Sequence, residues 1–274
     1  MTFFNSSLAH TLTPASLVAE QLSLGYGEQL IIDQLSLEIP EQKITAIIGP
    51  NGCGKSTLLS GLARVLKPKA GQVLLNGKSI HLQSNRKVAQ LLALLPQEAH
   101  APDGLTVTEL VRFGRQPHQG FLQQWGYEDE AIVQDAIRLA NLEALAGRAL
   151  NSISGGQRQR AWLAMTVAQS TPLLLLDEPT SVLDLGHQIE VFEIISQLAK
   201  AGKTIVMVVH DIMSACRYAD HIVALKQGAI IAEGAPKDII TSDLIRQLYG
   251  VDCHIMEDPH NGSLLLTGAM RSSR

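Results

Sequence analysis

Residues Gly49-Pro50-Asn51-Gly52-Cys53-Gly54-Lys55-Ser56-Thr57 fit the spacing G-x-x-x-x-G-K-[ST], and their flanks fix what the loop can be. Before it, Lys43 to Ile48 is a short apolar run that reads as a buried strand; after it, Lys55 to about Leu66 reads as a helix. A chain that turns from strand into helix through such a loop is committed to an α/β core. The glycines let successive backbone N–H groups converge on one point, and the helix N-terminus adds partial positive charge there. An oligophosphate is the ligand this suits. Lys55 is expected to reach its β- and γ-phosphates and Ser56 to ligate Mg²⁺. Cys53 lies inside the loop at a helix N-terminus, a position that lowers a thiol pKa. Alkylation there is expected to block nucleotide binding, with bound nucleotide protecting; the equal alternative is a buried, inert thiol.

A second element of the same chemistry is Leu173 to Leu176, an apolar strand ending in Asp177-Glu178. Asp177 is expected in the Mg²⁺ shell, and Glu178 is expected to orient or deprotonate an attacking water. Seen alone, an acidic pair after a strand is more often a helix start. Thr204 to Val209 is another buried strand, separated from the first by a helix from about Gln188 to Lys200, and this alternation predicts a mainly parallel sheet. Leu17 to Leu24 and Ile31 to Ile39 alternate apolar and polar residues around Gly25-Tyr26-Gly27, which predicts an antiparallel β-subdomain. Ile222 to Leu225 and Ala229 to Ala232 read as a hairpin across Gln227-Gly228. Between Leu105 and Ala146 the pattern is helical, with a capping box at Thr106 to Glu109 and a periodic stretch from Tyr127 to Ala140.

Between the two phosphate-directed elements stands Ser154-Gly155-Gly156-Gln157. Taken alone it is equally an ordinary capping box or a second anion site made of a hydroxyl and helix-start N–H groups. Here the chain resembles the ABC ATPase family, whose signature is L-S-G-G-Q, with Ile153 in place of the usual Leu. The resemblance runs from about Leu17 to Gly234. It implies a P-loop NTPase fold, ATP and Mg²⁺ as ligands, and ATP hydrolysis. Tyr26 resembles the aromatic that stacks on adenine, and Gln97 the Q-loop residue at Mg²⁺ or water. Asp184 in Ser181-Val182-Leu183-Asp184 resembles the D-loop, with Val182 where Ala is commoner. His210, directly after a buried strand, resembles the switch histidine at the γ-phosphate. His118, His187, His221 and His254 show no ligand spacing and read as ordinary. By this resemblance the domain spans 17–250, with a helical subdomain at about 98–152, a flexible leader at 1–16 and a short extension at 251–274.

One chain carries one phosphate loop and one signature, and in this family each works only against the other across an ATP. Two copies are therefore expected to pair head to tail. Gly52-Cys53-Gly54, Gly114 to His118, Leu185 to Gln188, His210 to Tyr218 and the tail from Tyr249 to Asp258 resemble the branch that imports ferric siderophores, haem and cobalamin. That branch implies two permease subunits docking near Gln97 and the helical subdomain, an extracytoplasmic substrate-binding protein, and a location on the cytoplasmic face of the membrane. Alternatives within the resemblance are the motor of another importer or an exporter, or a soluble ABC ATPase acting off the membrane. An unrelated GTPase fits less well, because no N-K-x-D base-reading motif occurs. The formal charge of -4 offers no general basic field for nucleic acid. Three widely spaced cysteines without C-x-x-C suit a reducing compartment.

Overall fold

Strand β1 (Leu17–Tyr26) pairs antiparallel with β2 (Gln29–Ile39), and the chain turns between them at Gly27-Glu28 in a computed structural model that describes residues 14–98, 100–120, 125–181 and 183–271. Next come β3 (Ile44–Ile48), helix α1 (Lys55–Leu62), β4 (Ala70–Leu75) and β5 (Lys78–Ser79). Then follow α2 (Asn85–Leu91), β6 (Leu92–Leu95), α3 (Val107–Phe113), α4 (Tyr127–Leu139) and α5 (Gly155–Ala168). The central run closes with β7 (Leu173–Asp177), α6 (Leu185–Lys200) and β8 (Thr204–Val208). The C-terminal part adds α7 (Ile212–Tyr218), β9 (His221–Lys226), β10 (Ala229–Gly234), α8 (Pro236–Ile239), α9 (Ser242–Tyr249), β11 (Val251–Glu257) and β12 (Leu264–Arg271).

The described chain divides into two compact units, one of residues 16–82 with 206–271, the other built on residues 83–205. In the first unit, β2, β1, β4 and β5 form an antiparallel sheet in that order, and β3 pairs parallel with β9, which carries β10 as an antiparallel neighbour. Lys226 pairs with Ala229 across Gln227 and Gly228, both at positive φ, as a two-residue hairpin of primed type requires. The expected hairpin is present. Of the expected leader, residues 1–13 lie outside the described residues. Ser16 is tied down: it donates its N–H to Asn76 Oδ1 at 2.9 Å and accepts from Asn76 N–H at 3.0 Å.

In the second unit β6 and β7 pair in parallel from Leu92↔Leu173 to Leu95↔Leu176. Every residue of β3, β7 and β8 is buried, the pattern of strands covered on both faces. Thr106 caps α3 with both bonds of the expected capping box formed. The Gly114 to His118 stretch explains its own composition. A Cβ on Gly114 would lie 2.2 Å from the Met165 carbonyl oxygen, and buried Arg115 donates to Asp129 at 2.8 Å and to the Ala168 carbonyl at 2.9 Å. Arg115 thereby ties the end of α3 to α4 and to the C-terminus of α5.

Candidate active site

Two sets of candidate residues belong to the two units. In the first unit the loop from Gly49 to Gly54 leaves β3 and enters α1. Gly49, Gly52 and Gly54 have φ of 150°, 75° and 107°, conformations that a side chain would strain. At Gly49 space is also lacking: a Cβ there would lie 2.1 Å from the Leu225 carbonyl oxygen of β9. Gly228 N–H donates to the Cys53 carbonyl at 2.9 Å, so the β9–β10 turn pins the loop from one side. Lys55 is buried, and its ammonium donates to the carbonyls of Gly49 at 2.8 Å and Pro50 at 3.0 Å. This centres one positive charge in a ring of backbone. Asn51 and Gly52 are exposed, Ser56 is half-buried and Thr57 is buried.

Of the two readings of Cys53, the fold favours the inert one. Its side chain is buried, and burial pushes the thiol above its ordinary range, with the Lys55 charge and nearby N–H groups pulling down without prevailing. Desolvation wins over the helix N-terminus, and the acidic reactive thiol inferred from position alone is not what the fold makes. The same region holds a residue that the spacing of motifs did not single out. Tyr249, the last residue of α9, is half-buried with its hydroxyl enclosed near the Gly49 backbone, and burial pushes the phenol up to about 12. Tyr26 ends β1 and is exposed, as a stacking surface must be, and His210 is exposed directly after β8 and Val209. Asp211 then caps α7, accepting from Met213 and Ser214 N–H groups.

In the second unit Asp177 closes β7 and Glu178 follows it, both buried. Glu178 has φ of 51°, a left-handed conformation uncommon for a side-chain-bearing residue and characteristic of functional turns. The turn is locked: Ser181 donates both N–H and hydroxyl to the Glu178 carbonyl, at 3.1 and 3.0 Å. Gln97, two residues beyond β6, donates from Nε2 to Glu178 Oε2 at 2.7 Å. The parallel pairing of β6 and β7 brings these residues together across 81 positions of sequence.

Ser154 is the N-cap of α5. Its Oγ accepts from Gln157 N–H at 3.2 Å, while Gln157 Oε1 accepts from Ser154 N–H at 3.0 Å. The capping box and the anion site are not exclusive. A hydroxyl that accepts through a lone pair retains its O–H proton, which remains able to donate to a phosphate oxygen. Gly155 and Gly156 open the helix beside it. Asp184 caps α6 and accepts from His187. Val182 lies outside the described residues.

Among the described residues, no cluster of three or more His, Cys, Asp or Glu could hold a metal ion unaided. The donors expected for Mg²⁺, the Ser56 hydroxyl, the Gln97 amide oxygen and the Asp177 carboxylate, are all hard oxygens. With Gln97 Nε2 engaged by Glu178, its amide oxygen is the end left to face a cation. Ser56 in the first unit, and Gln97 and Asp177 in the second, are each of the oxygen-donor type that such an ion takes alongside phosphate and water.

The family model for ABC transporters matches residues 32–181, which hold the phosphate loop, Gln97, the Ser154 to Gln157 helix start and the Asp177-Glu178 turn. The chain belongs to the ABC transporter family. The "Probable siderophore transport system ATP-binding protein YusV" of Bacillus subtilis (strain 168) is 52% identical, covering 92% of this chain and 92% of that protein. The "Ferric enterobactin transport ATP-binding protein FepC" of Escherichia coli (strain K12) is 47% identical, covering 96% and 97%. Among solved structures, an ABC transporter described as metal-chelate type, in an inward-facing conformation, superposes with a TM-score of 0.79 at 28% identity, covering 95% of this chain and 98% of that one. As an ABC ATPase the chain binds nucleotide and hydrolyses ATP. Among the described residues no helix is long and apolar enough to cross a membrane.

Proposed function

We propose that this ABC ATPase energises the import of a ferric siderophore or a related metal chelate through a separate permease. Two copies pair head to tail and share two ATP molecules. In each shared site the loop from Gly49 to Thr57 of one copy holds the phosphates, with Lys55 at the β- and γ-positions and Tyr26 against the adenine. The hydroxyl of Ser154 and the N–H groups of Gly155 and Gly156 in the other copy face the γ-phosphate. Asp184 borders the same interface. Mg²⁺, held by Ser56, Asp177 and Gln97, would neutralise charge on the phosphate oxygens. Glu178 accepts a proton from the attacking water, and His210 contacts the γ-phosphate.

The observation that carries this reading is the Glu178 carboxylate, buried in a left-handed turn at the end of β7 and held there by Gln97. A base fixed in this manner suits turnover, beyond mere nucleotide binding. ATP makes contacts that exist only in the paired state, so binding favours closure and hydrolysis removes those contacts. Closure transmits force to permease subunits docked near Gln97 and the helical segment, on the cytoplasmic face of the membrane. The cargo arrives through an extracytoplasmic substrate-binding protein and never meets this chain, which makes the names of the relatives the support for its chemical class. The test is co-expression with the permease followed by uptake of radioactive iron(III)–siderophore. Uptake that needs ATP and stops in Glu178→Gln is expected. A chain that purifies without any polytopic partner and leaves uptake unaffected would overturn the transport assignment.

A further inference from the structure

The start of α6 and the start of α5 touch through one imidazole. His187 stands in the first turn of α6, three residues after its N-cap Asp184. Asp184 Oδ1 accepts from the His187 backbone N–H at 3.0 Å and from the ring Nδ1 at 2.7 Å, so the cap and the ring are fixed by the same oxygen. A carboxylate only accepts, and the ring therefore donates from Nδ1. The far edge of the ring lies over Gly156. A Cβ on that glycine would meet His187 Cδ2 at 3.0 Å and Cγ at 3.1 Å, closer than such contacts ordinarily come. One turn further along both helices, Arg160 of α5 pairs with Glu190 of α6 at 2.9 Å, the arginine side chain being only 8% exposed. Gln159 adds a bond to the Pro179 carbonyl at 3.2 Å, tying α5 to the turn that follows Glu178.

We propose that His187 is a positioning residue that locks the Asp184 turn to the Ser154–Gln157 helix start within one subunit, so that both reach the partner's nucleotide in fixed register. The inference rests on the shared-ATP reading above. Ser154 and Asp184 are both expected at the interface, yet they sit on different helices. Two contacts one turn apart, Gly156 with His187 and Arg160 with Glu190, set the axial and rotational register of those helices. The absent side chain at Gly156 has a second use in this view: it admits the imidazole as well as the phosphate. His187 itself meets no reacting atom.

The experiment uses the full chain carrying Glu178→Gln, with ATP-driven dimerisation followed by light scattering and P-loop affinity by a fluorescent ATP analogue on the monomer. His187→Ala is expected to leave that affinity and the melting temperature near the parent's, while the ATP concentration for half-dimerisation rises about tenfold to a hundredfold, the scale of a misplaced element. His187→Asn, whose amide can replace the Nδ1–H donor to Asp184, is expected to recover part of the loss. Gly156→Ala and His187→Ala are expected to be non-additive, because removing the ring also removes what the new methyl strikes. Dimerisation of His187→Ala and His187→Asn at the parent's ATP concentration, or independent losses that simply multiply, would overturn the proposal. A parent that stays monomeric in ATP would overturn the shared-ATP reading itself, and this inference with it.

Discussion

The Gln97 side chain donates a 2.7 Å hydrogen bond to Glu178 Oε2, joining the segment after β6 to the turn after β7. Glu178 sits at φ 51° in that turn, so the bond orients a carboxylate whose backbone is already restricted. Substituting Gln97 by Glu would set two carboxylates at hydrogen-bond distance, where one must take a proton. Steady-state ATPase activity of Gln97→Glu is expected to fall about tenfold or more at neutral pH and to recover partly as pH rises. Unchanged activity and an unchanged pH profile would show that Gln97 does not act on Glu178.

Ser154 serves as a helix cap, and the proposal gives its hydroxyl a second duty toward phosphate. The two duties separate by substitution. Asp is as good an N-cap as Ser, whereas Ala costs about 1 kcal/mol at such a position. Ser154→Asp is therefore expected to keep its thermal stability and lose ATP-driven pairing, because its charge opposes the γ-phosphate. Ser154→Ala is expected to lose stability and to retain weakened pairing. Thermal melts and light scattering in ATP measure both.

Cys53, Cys216 and Cys253 are all buried, with the Cys216 thiol pushed up to about 11 chiefly by burial. Each pH unit by which a thiol pKa exceeds ambient cuts the thiolate tenfold. Iodoacetamide at pH 7.5, read by intact-mass spectrometry, is expected to label the native chain slowly and with little effect of MgATP, and all three cysteines rapidly in denaturant. Fast native labelling at Cys53 would restore the acidic thiol expected from its place in the loop.

Lys203 is buried at 2% exposure, donates to the Thr171 carbonyl at 2.6 Å, and burial lowers its pKa from 10.5 to about 8. The unfolded chain therefore binds the proton more tightly than the folded one. Between pH 8 and 10.5 stability contributed by this residue rises with pH, is complete above 10.5, and is lost as pH falls through about 8. Each pH unit of the shift is worth about 1.4 kcal/mol, so the whole window contributes a few kcal/mol. Denaturant titrations of the parent and Lys203→Met across that window are expected to differ in slope, the methionine form lacking the rise. Parallel curves would contradict the burial.

Much of the first unit was legible because its signals are local. The glycines from Gly49 to Gly54, the apolar run before them and the Gln227-Gly228 turn each dictate backbone geometry without distant help. The Thr106 box was equally readable, since both of its partners lie within one turn. What escaped depends on packing. Leu92 to Leu95 is too short for periodicity to separate strand from helix, and only its pairing with β7 makes it β6. The hairpin of β11 and β12 reads merely as a tail and extension, and α9 lies within the domain with no local signal that sets it apart, although Tyr249 lies near the Gly49 backbone. The α1 helix ends at Leu62, four residues short of expectation, where Arg64 turns to φ 65°. His187 looked ordinary because its partners, Asp184 nearby and Gly156 on another helix, become a constellation only after folding. Its one sequence signal was an imidazole three residues after a capping Asp.

The central claim is that each ATP is gripped by Lys55 of one copy and Ser154 of the other. The most direct measurement is a structure of the Glu178→Gln chain trapped with ATP, a variant expected to bind ATP and pair while turning over ~10²- to 10⁴-fold more slowly. Ser154 Oγ of one copy is expected within about 2.5–3.2 Å of a γ-phosphate oxygen bound at Lys55 of its partner. A closed, ATP-loaded assembly in which Ser154 faces solvent or its own chain's nucleotide would contradict it.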